Sequence, residues 1–136
     1  MSSSFDGLRR SVAGIAIRRG RVFVGLRKSG GDLGGKWEFP GGKLEPGETD
    51  DQALVREFNE EFGLIVNVGR LLGESDFAHG GHRYSLAALA LDFRGEPPEL
   101  REHDEVRWVD ATELCSMDLA ESDRTLLSFI LPLLVE

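Results

Sequence analysis

A single cysteine, Cys115, leaves this 136-residue chain no means of forming an internal disulfide, which fits a reducing, cytoplasmic setting. Long apolar runs are missing as well. The longest, Leu86 to Leu91, is far too short to cross a bilayer, so no membrane role is expected. The N-terminus holds Arg9 and Arg10 but no apolar stretch of the kind a secretory signal needs; residues 1–8 read as a flexible tail containing Ser2, Ser3 and Ser4. Positive charge is also scarce. Sixteen Lys and Arg face 24 Asp and Glu, and a net charge of -8 repels long polyanions, which argues against a nucleic-acid polymer as partner. Repeats, long linkers and extended low-complexity segments are absent too. What remains is an ordinary globular composition, 40% apolar and 29% charged, expected to form one domain over residues 1–136 around one core.

The charge is unevenly spread. Carboxylates crowd Glu45 to Glu61 and Glu96 to Glu105, whereas Arg18, Arg19, Arg21, Arg27, Lys28, Lys36 and Lys43 precede position 44. A small anionic substrate is compatible with this pattern if metal ions and a few local cations screen it.

Val12 to Ile17 and Arg21 to Leu26 are β-rich, and Arg19-Gly20 between them predicts a hairpin. Gly30 to Gly35 reads as a glycine-rich loop, and Trp37-Glu38-Phe39 as a short extended piece ending at Pro40-Gly41-Gly42. The clearest helix spans Asp50 to Phe62. Thr49 and Gln52 form a capping box, Asp50 and Asp51 suit the positive end of the helix dipole, and Gly63 suits the C′ position. Ala53, Leu54 and Phe58 make its buried stripe. Strands are expected over Leu64 to Leu72, His82 to Phe93 and Val106 to Val109. His82 to Phe93 is apolar on both faces and therefore central. Thr112 is expected to cap a helical turn to Cys115. Ser122 or Asp123 is expected to cap a last helix with a core face of Leu126, Leu127, Phe129, Ile130 and Leu133, bent or ended by Pro132. This order of elements gives an α/β (α+β) layered sandwich.

Glu57, Glu60 and Glu61 are spaced i, i+3, i+4 and share one helix face. Carboxylates that close repel one another, so the cluster is either a solvated acidic surface or a seat for a hard divalent cation, which prefers oxygen ligands. The surrounding sequence favours the seat. From Gly42 the chain reads Gly, five residues, Glu48, seven residues, then Arg56-Glu57-Phe58-Asn59-Glu60-Glu61-Phe62-Gly63-Leu64. This resembles the Nudix box at every charged and glycine position. The one departure is Phe58, where the family places a smaller aliphatic residue; a change of packing without loss of metal binding is expected there. Trp37-Glu38-Phe39-Pro40-Gly41-Gly42-Lys43 is similar to the lead-in of MutT-like members, and Glu102 with Trp108 resembles their late acidic strand.

The resemblance implies a mixed sheet between helices, with the box as a loop-helix-loop. It implies magnesium, or manganese in its place, on Glu57, Glu60, Glu61 and Glu102, with the Gly41 carbonyl as a further ligand. Arg56 would orient a helix carboxylate, and Glu48 would hold Arg56 or bind metal through water. Glu102 and Glu57 are both candidates for the general base. On the substrate side stand Arg27, Phe39, Gly42, Lys43 and Asp123. Arg27 and Lys43 would meet the phosphates, although Arg27 equally suits a surface strand end. Phe39 either stacks on a base or belongs to the core, and Phe77 is a second candidate stacker. Asp123 either reads the base or caps a helix. The implied activity is hydrolysis of a nucleoside triphosphate to a monophosphate and pyrophosphate, with CTP, modified dCTP or 8-oxo-dGTP as substrates, by a monomer or homodimer. ADP-ribose, dinucleoside polyphosphate and coenzyme A branches match less well, and a non-catalytic nucleotide-binding module would be expected to have lost box carboxylates. His79 and His82 lack the further ligands of a zinc site. His103 is expected to face solvent, and Cys115 has no partner that would make it a nucleophile.

Overall fold

A computed structural model describes residues 8–30 and 34–135. The expected tail thus lies outside the described residues except for Leu8, as do residues 31–33 of the glycine-rich loop. The elements are β1 (Leu8–Ile15), β2 (Ile17–Arg18), β3 (Arg21–Arg27), β4 (Trp37–Glu38), β5 (Gly41–Lys43), α1 (Asp50–Phe62), β6 (Asn67–His79), β7 (His82–Asp92), β8 (His103–Val109), α2 (Ala111–Ser116), α3 (Glu121–Arg124) and α4 (Leu127–Ile130). A 3-10 turn over Leu131–Leu134 follows.

The first expected strand divides at Ala16. Its carbonyl accepts the Phe23 amide, so β1 and β2 enter different sheets. Arg19 and Gly20 both take positive φ, 51° and 75°, which makes the tight hairpin turn whose twist matches its strands. One sheet has the order β5-β1-β7-β6, with β1 and β7 parallel and its other pairs antiparallel. In the second sheet β8 runs along β3, which also pairs with β2 and then β4.

Side-chain alternation divides the interior in two. Val12, Phe23, Ala87, Leu89 and Leu91 pack with Ala53, Leu54, Phe58 and Phe62 of α1. Their neighbours Ala13, Val22, Val24, Leu86 and Ala88 pack with Leu114, Leu119, Leu126 and Ile130. Helices therefore cover both faces, as expected, and β7 is apolar on both. Phe58 is accommodated by glycine: a Cβ at Gly14 would lie 2.6 Å from its ring. Burying such a ring contributes about 1.5–3 kcal/mol.

Helix α1 has the expected ends. The Thr49 hydroxyl accepts the Gln52 amide, the Gln52 side chain accepts the Thr49 amide, and Gly63 closes the helix at φ 70°.

Several expectations need correction. The strand after the helix begins at Asn67 and continues to His79, because its pairing with β7, not its apolar content, fixes its length. Asp110, not Thr112, caps α2 and forms a capping box with Glu113. The last helix is broken into α3, α4 and the 3-10 turn, and the shortened repeat buries Leu134 in place of Leu133. Neither Ser122 nor Asp123 caps α3. Ala120 occupies that position and its amide donates to the Trp37 carbonyl, so tertiary pairing with β4 sets where the helix starts.

Candidate active site

Strand β5 pairs with β1 and lies against α1 at Glu57, and only glycine allows it to lie so close. A Cβ at Gly41 would meet the Val12 carbonyl oxygen at 1.9 Å, and one at Gly42 would meet Glu57 Oε2 at 1.9 Å. This approach leaves a cleft of about 240 Å³ lined by Arg27, Gly41, Gly42, Glu57, Glu60, Glu61 and Glu102. Seven residues singled out from the sequence thus meet in one place, brought there by β3, β5, α1 and the segment entering β8.

The three helix carboxylates are not equivalent. Glu61 is buried, 4% exposed, whereas Glu60 sits at the rim with 59% of its side chain exposed. Burial drives the Glu61 carboxyl up to about 10, helped by the negative charge of Glu38, Glu57 and Glu102. Burial also raises Glu57. Acid groups held this far from their ordinary range need either a proton or a cation. The donors around the cleft are hard oxygens, which suits a divalent ion held by Glu57, Glu60, Glu61 and Glu102 with the Gly41 carbonyl nearby.

Arg56 organises the outer wall. Its Nε and Nη2 donate to Glu48 Oε2 and Oε1 at 2.6 and 2.9 Å, a bidentate pair. Nη2 also donates to the Lys43 carbonyl at 3.0 Å and Nη1 to Glu60 Oε1 at 3.2 Å. Bonding to Arg56 pulls the Glu48 carboxyl down to about 2. The contact with Arg56 is one of the two roles expected of Glu48.

Lys43, Phe39 and Asp123 are not in the lining of the cleft. Lys43 is exposed on β5. Phe39 is buried in the core on the C-terminal helices' side, so it does not stack on a base there. Asp123 is buried behind it, where its Oδ2 accepts the Phe39 amide at 3.3 Å. Burial, then the charge of Glu38, raises the Asp123 carboxyl well above the carboxylate range. Phe77 is half-buried on the β6–β7 hairpin and stacks on Tyr84, with centroids 5.2 Å apart. His82 approaches Arg9 at 3.5 Å; the side chain of His79 lies outside the described residues. Cys115 is exposed.

Two site residues escaped the sequence reading. Glu38 accepts from Arg27 Nη1 at 3.2 Å and contacts His103 Nε2 at 2.7 Å. His103, expected in solvent, is 1% exposed. The reason is a register shift in the β3–β8 ladder: Leu26 faces Glu105 while Arg27 faces His103, so Asp104 bulges out and His103 turns in. The available signal was Gly25 within an apolar strand, since the His103 ring fills the space a Cβ there would take, at 2.5 Å.

No helix among the described residues is long and apolar enough to cross a membrane. The NUDIX domain model matches residues 7–129. Over 123 residues the chain is 36% identical to the CTP pyrophosphohydrolase of Escherichia coli K12, covering 90% of each. It is 42% identical over 91 residues to the 8-oxo-dGTP diphosphatase of the same organism, covering 66% of this chain and 70% of that one. The solution structure of the E. coli ORF135 protein superposes with a TM-score of 0.82 at 35% identity, covering 93% of this chain and 90% of that one. A box whose carboxylates converge on one cleft, inside a fold shared over nearly the whole length, carries one conclusion: the chain belongs to the Nudix family of hydrolases.

Proposed function

We propose that this protein hydrolyses nucleoside triphosphates to the monophosphate and pyrophosphate, using magnesium, with manganese as a substitute. The observation that carries the reading is the cleft itself, where Glu57, Glu60, Glu61 and Glu102 face Arg27. Such hydrolysis requires an in-line water and relief of charge on the phosphate oxygens. A bound divalent cation lowers the pKa of a coordinated water and offsets phosphate charge. Within the chain, Arg27 supplies a fixed positive charge, and Glu38 restrains its direction. Lys43, on the strand that borders the cleft, adds a second cation within reach of a phosphate tail. Glu57 or Glu102 takes the proton from the attacking water. Arg56 keeps Glu57 and Glu60 in place.

Asp123, outside the lining of the carboxylate cleft and with one oxygen on the Phe39 amide, is the candidate reader of the base through its other oxygen. Burial and the charge of Glu38 raise its pKa, which favours the protonated form, and a protonated carboxyl both donates and accepts where an ionised one only accepts. That chemistry suits the acceptor and donor edges of cytosine and of oxidised guanine alike, the bases named for the two E. coli relatives. The reducing setting implied by one exposed cysteine is consistent with a cytoplasmic nucleotide pool.

The test is a panel of CTP, dCTP, 5-methyl-dCTP, dGTP, 8-oxo-dGTP, ADP-ribose and a dinucleoside tetraphosphate with magnesium, resolved for products. Monophosphate and pyrophosphate from at least one triphosphate is the expected result. Cleavage of ADP-ribose alone would overturn the assignment.

A further inference from the structure

We infer that His103 is a positioning residue of the hydrolytic site: it fixes Glu38, the carboxylate that anchors Arg27, and this inference rests on the hydrolase reading above. His103 opens β8 directly after Glu102, which lines the cleft. Its ring is clamped between two elements. Phe62 of α1 stacks on one face, with centroids 5.1 Å apart and planes 13° from parallel. Gly25 of β3 leaves the room it occupies.

This clamp aims one nitrogen. Nε2 lies 2.7 Å from Glu38 Oε2 and 3.9 Å from Glu61 Oε1. Nδ1 is buried with no hydrogen-bond partner among the described residues. A hydrogen on Nδ1 would have no acceptor, so the ring carries its proton on Nε2 and donates it to Glu38. Glu38 Oε1 accepts from Arg27 Nη1. The carboxylate is thereby held at both oxygens, by His103 from the interior and by Arg27 from the cleft. Without His103, Glu38 would be free to rotate toward solvent, and Arg27 would lose its fixed direction.

The same three side chains, Glu38, Glu61 and His103, bring their ligand atoms within 4.8 Å of one another, which would also suit a metal. Histidines that ligate metals almost always donate their other ring hydrogen to an acceptor, and Nδ1 has none among the described residues. The donor role is the one the surroundings support.

Two measurements on the full chain test the inference. Nitrogen-detected NMR of 15N-histidine protein reads the tautomer of His103 with and without magnesium; the Nε2–H form in both is expected. An Nδ1–H form, or a shift of the Nε2 signal diagnostic of metal ligation, would overturn the donor role. Kinetics then compare His103→Phe with His103→Gln on the triphosphate that the wild type cleaves best. Losing a hydrogen bond to a charged group corresponds to roughly a tenfold to hundredfold fall in kcat/KM for the Phe variant. The Gln variant, whose amide reaches Glu38, should recover most of it. Arg27→Ala should cost less in the Phe background than in the wild type, leaving the double variant little below Arg27→Ala alone. Equal losses in both His103 variants that follow their melting temperatures, or full additivity with Arg27→Ala, would reduce His103 to a core residue. The tautomer measurement needs no turnover, so an inactive wild type would count against the hydrolase reading, and a wrong tautomer against this one.

Discussion

Glu57 rests on the backbone of Gly42, so near that a methyl group at Gly42 would lie 1.9 Å from Oε2. Gly42 is spared positive φ, so the requirement is for space and not for backbone freedom. Gly42→Ala should therefore fold, since the conflict is with the end of a side chain, and should displace Glu57 from the cleft. We expect kcat to fall at least about tenfold, the scale of a misplaced catalytic group, with a weaker apparent affinity for magnesium. Steady-state rates over a magnesium titration, beside a thermal melt, check this. Wild-type magnesium dependence in the variant would show that the close approach is incidental.

Glu61 ties stability to pH. Its carboxyl, ordinarily at 4.5, is raised to about 10 by burial and neighbouring carboxylates. Between those values the folded chain keeps a proton that the unfolded chain releases, so this group's contribution is full below 4.5 and declines as pH rises toward 10. The buried Asp123 carboxyl, also raised, acts in the same direction. A divalent cation takes the place of the Glu61 proton, so binding should release protons near neutral pH. Melting with EDTA should show falling stability from about pH 6 to about pH 9, as the raised acids require, and magnesium should offset the fall. Calorimetry in buffers of different ionisation enthalpy counts the protons, and Glu61→Gln should flatten the slope. A metal-free melting temperature that rises with pH in this window would contradict the account.

These two relationships differ in how far the sequence revealed them. Spacing on one capped helix put Glu57, Glu60 and Glu61 on a shared face, whereas Glu48 and Arg56 came from the resemblance to the Nudix box. Neither announced that Glu61 is buried and Glu60 half out, since that depends on how α1 lies on the sheet. The sandwich was legible from β7, apolar on both faces. The inward turn of His103 was not, because it comes from one bulge in a ladder between distant strands. Asp123 was placed near a helix start correctly. Its partner, the Phe39 amide, is 84 positions away and beyond any local pattern.

Arg56 makes a planar, bidentate contact with Glu48 while also reaching Glu60 and the Lys43 carbonyl. An ammonium cannot reproduce that fork. Arg56→Lys should keep the net charge and the fold yet lower kcat about tenfold to hundredfold, the range for a lost charge-assisted bond. Raising magnesium should restore part of the loss if the displaced groups are metal ligands. Rates measured across magnesium concentrations decide it: an unchanged rate would leave the Arg56 network a surface feature.

Asp123 offers the sharpest separation of structure from recognition. Its Oδ2 accepts the Phe39 amide inside the protein, so Asp123→Ala leaves a buried N–H unpaired and should cost about 1–3 kcal/mol of stability. Asp123→Asn keeps the acceptor and the volume and should melt close to wild type. If the remaining oxygen reads the base, both variants should change the order of preference among CTP, 5-methyl-dCTP and 8-oxo-dGTP. Alanine loses discrimination, and asparagine alters it, because an amide places donor and acceptor at fixed ends. The ranking by kcat/KM across the panel is the measurement. Were alanine to lower the melting temperature while both variants kept the wild-type ranking, Asp123 would serve only to hold Phe39, and base selection would rest on other residues.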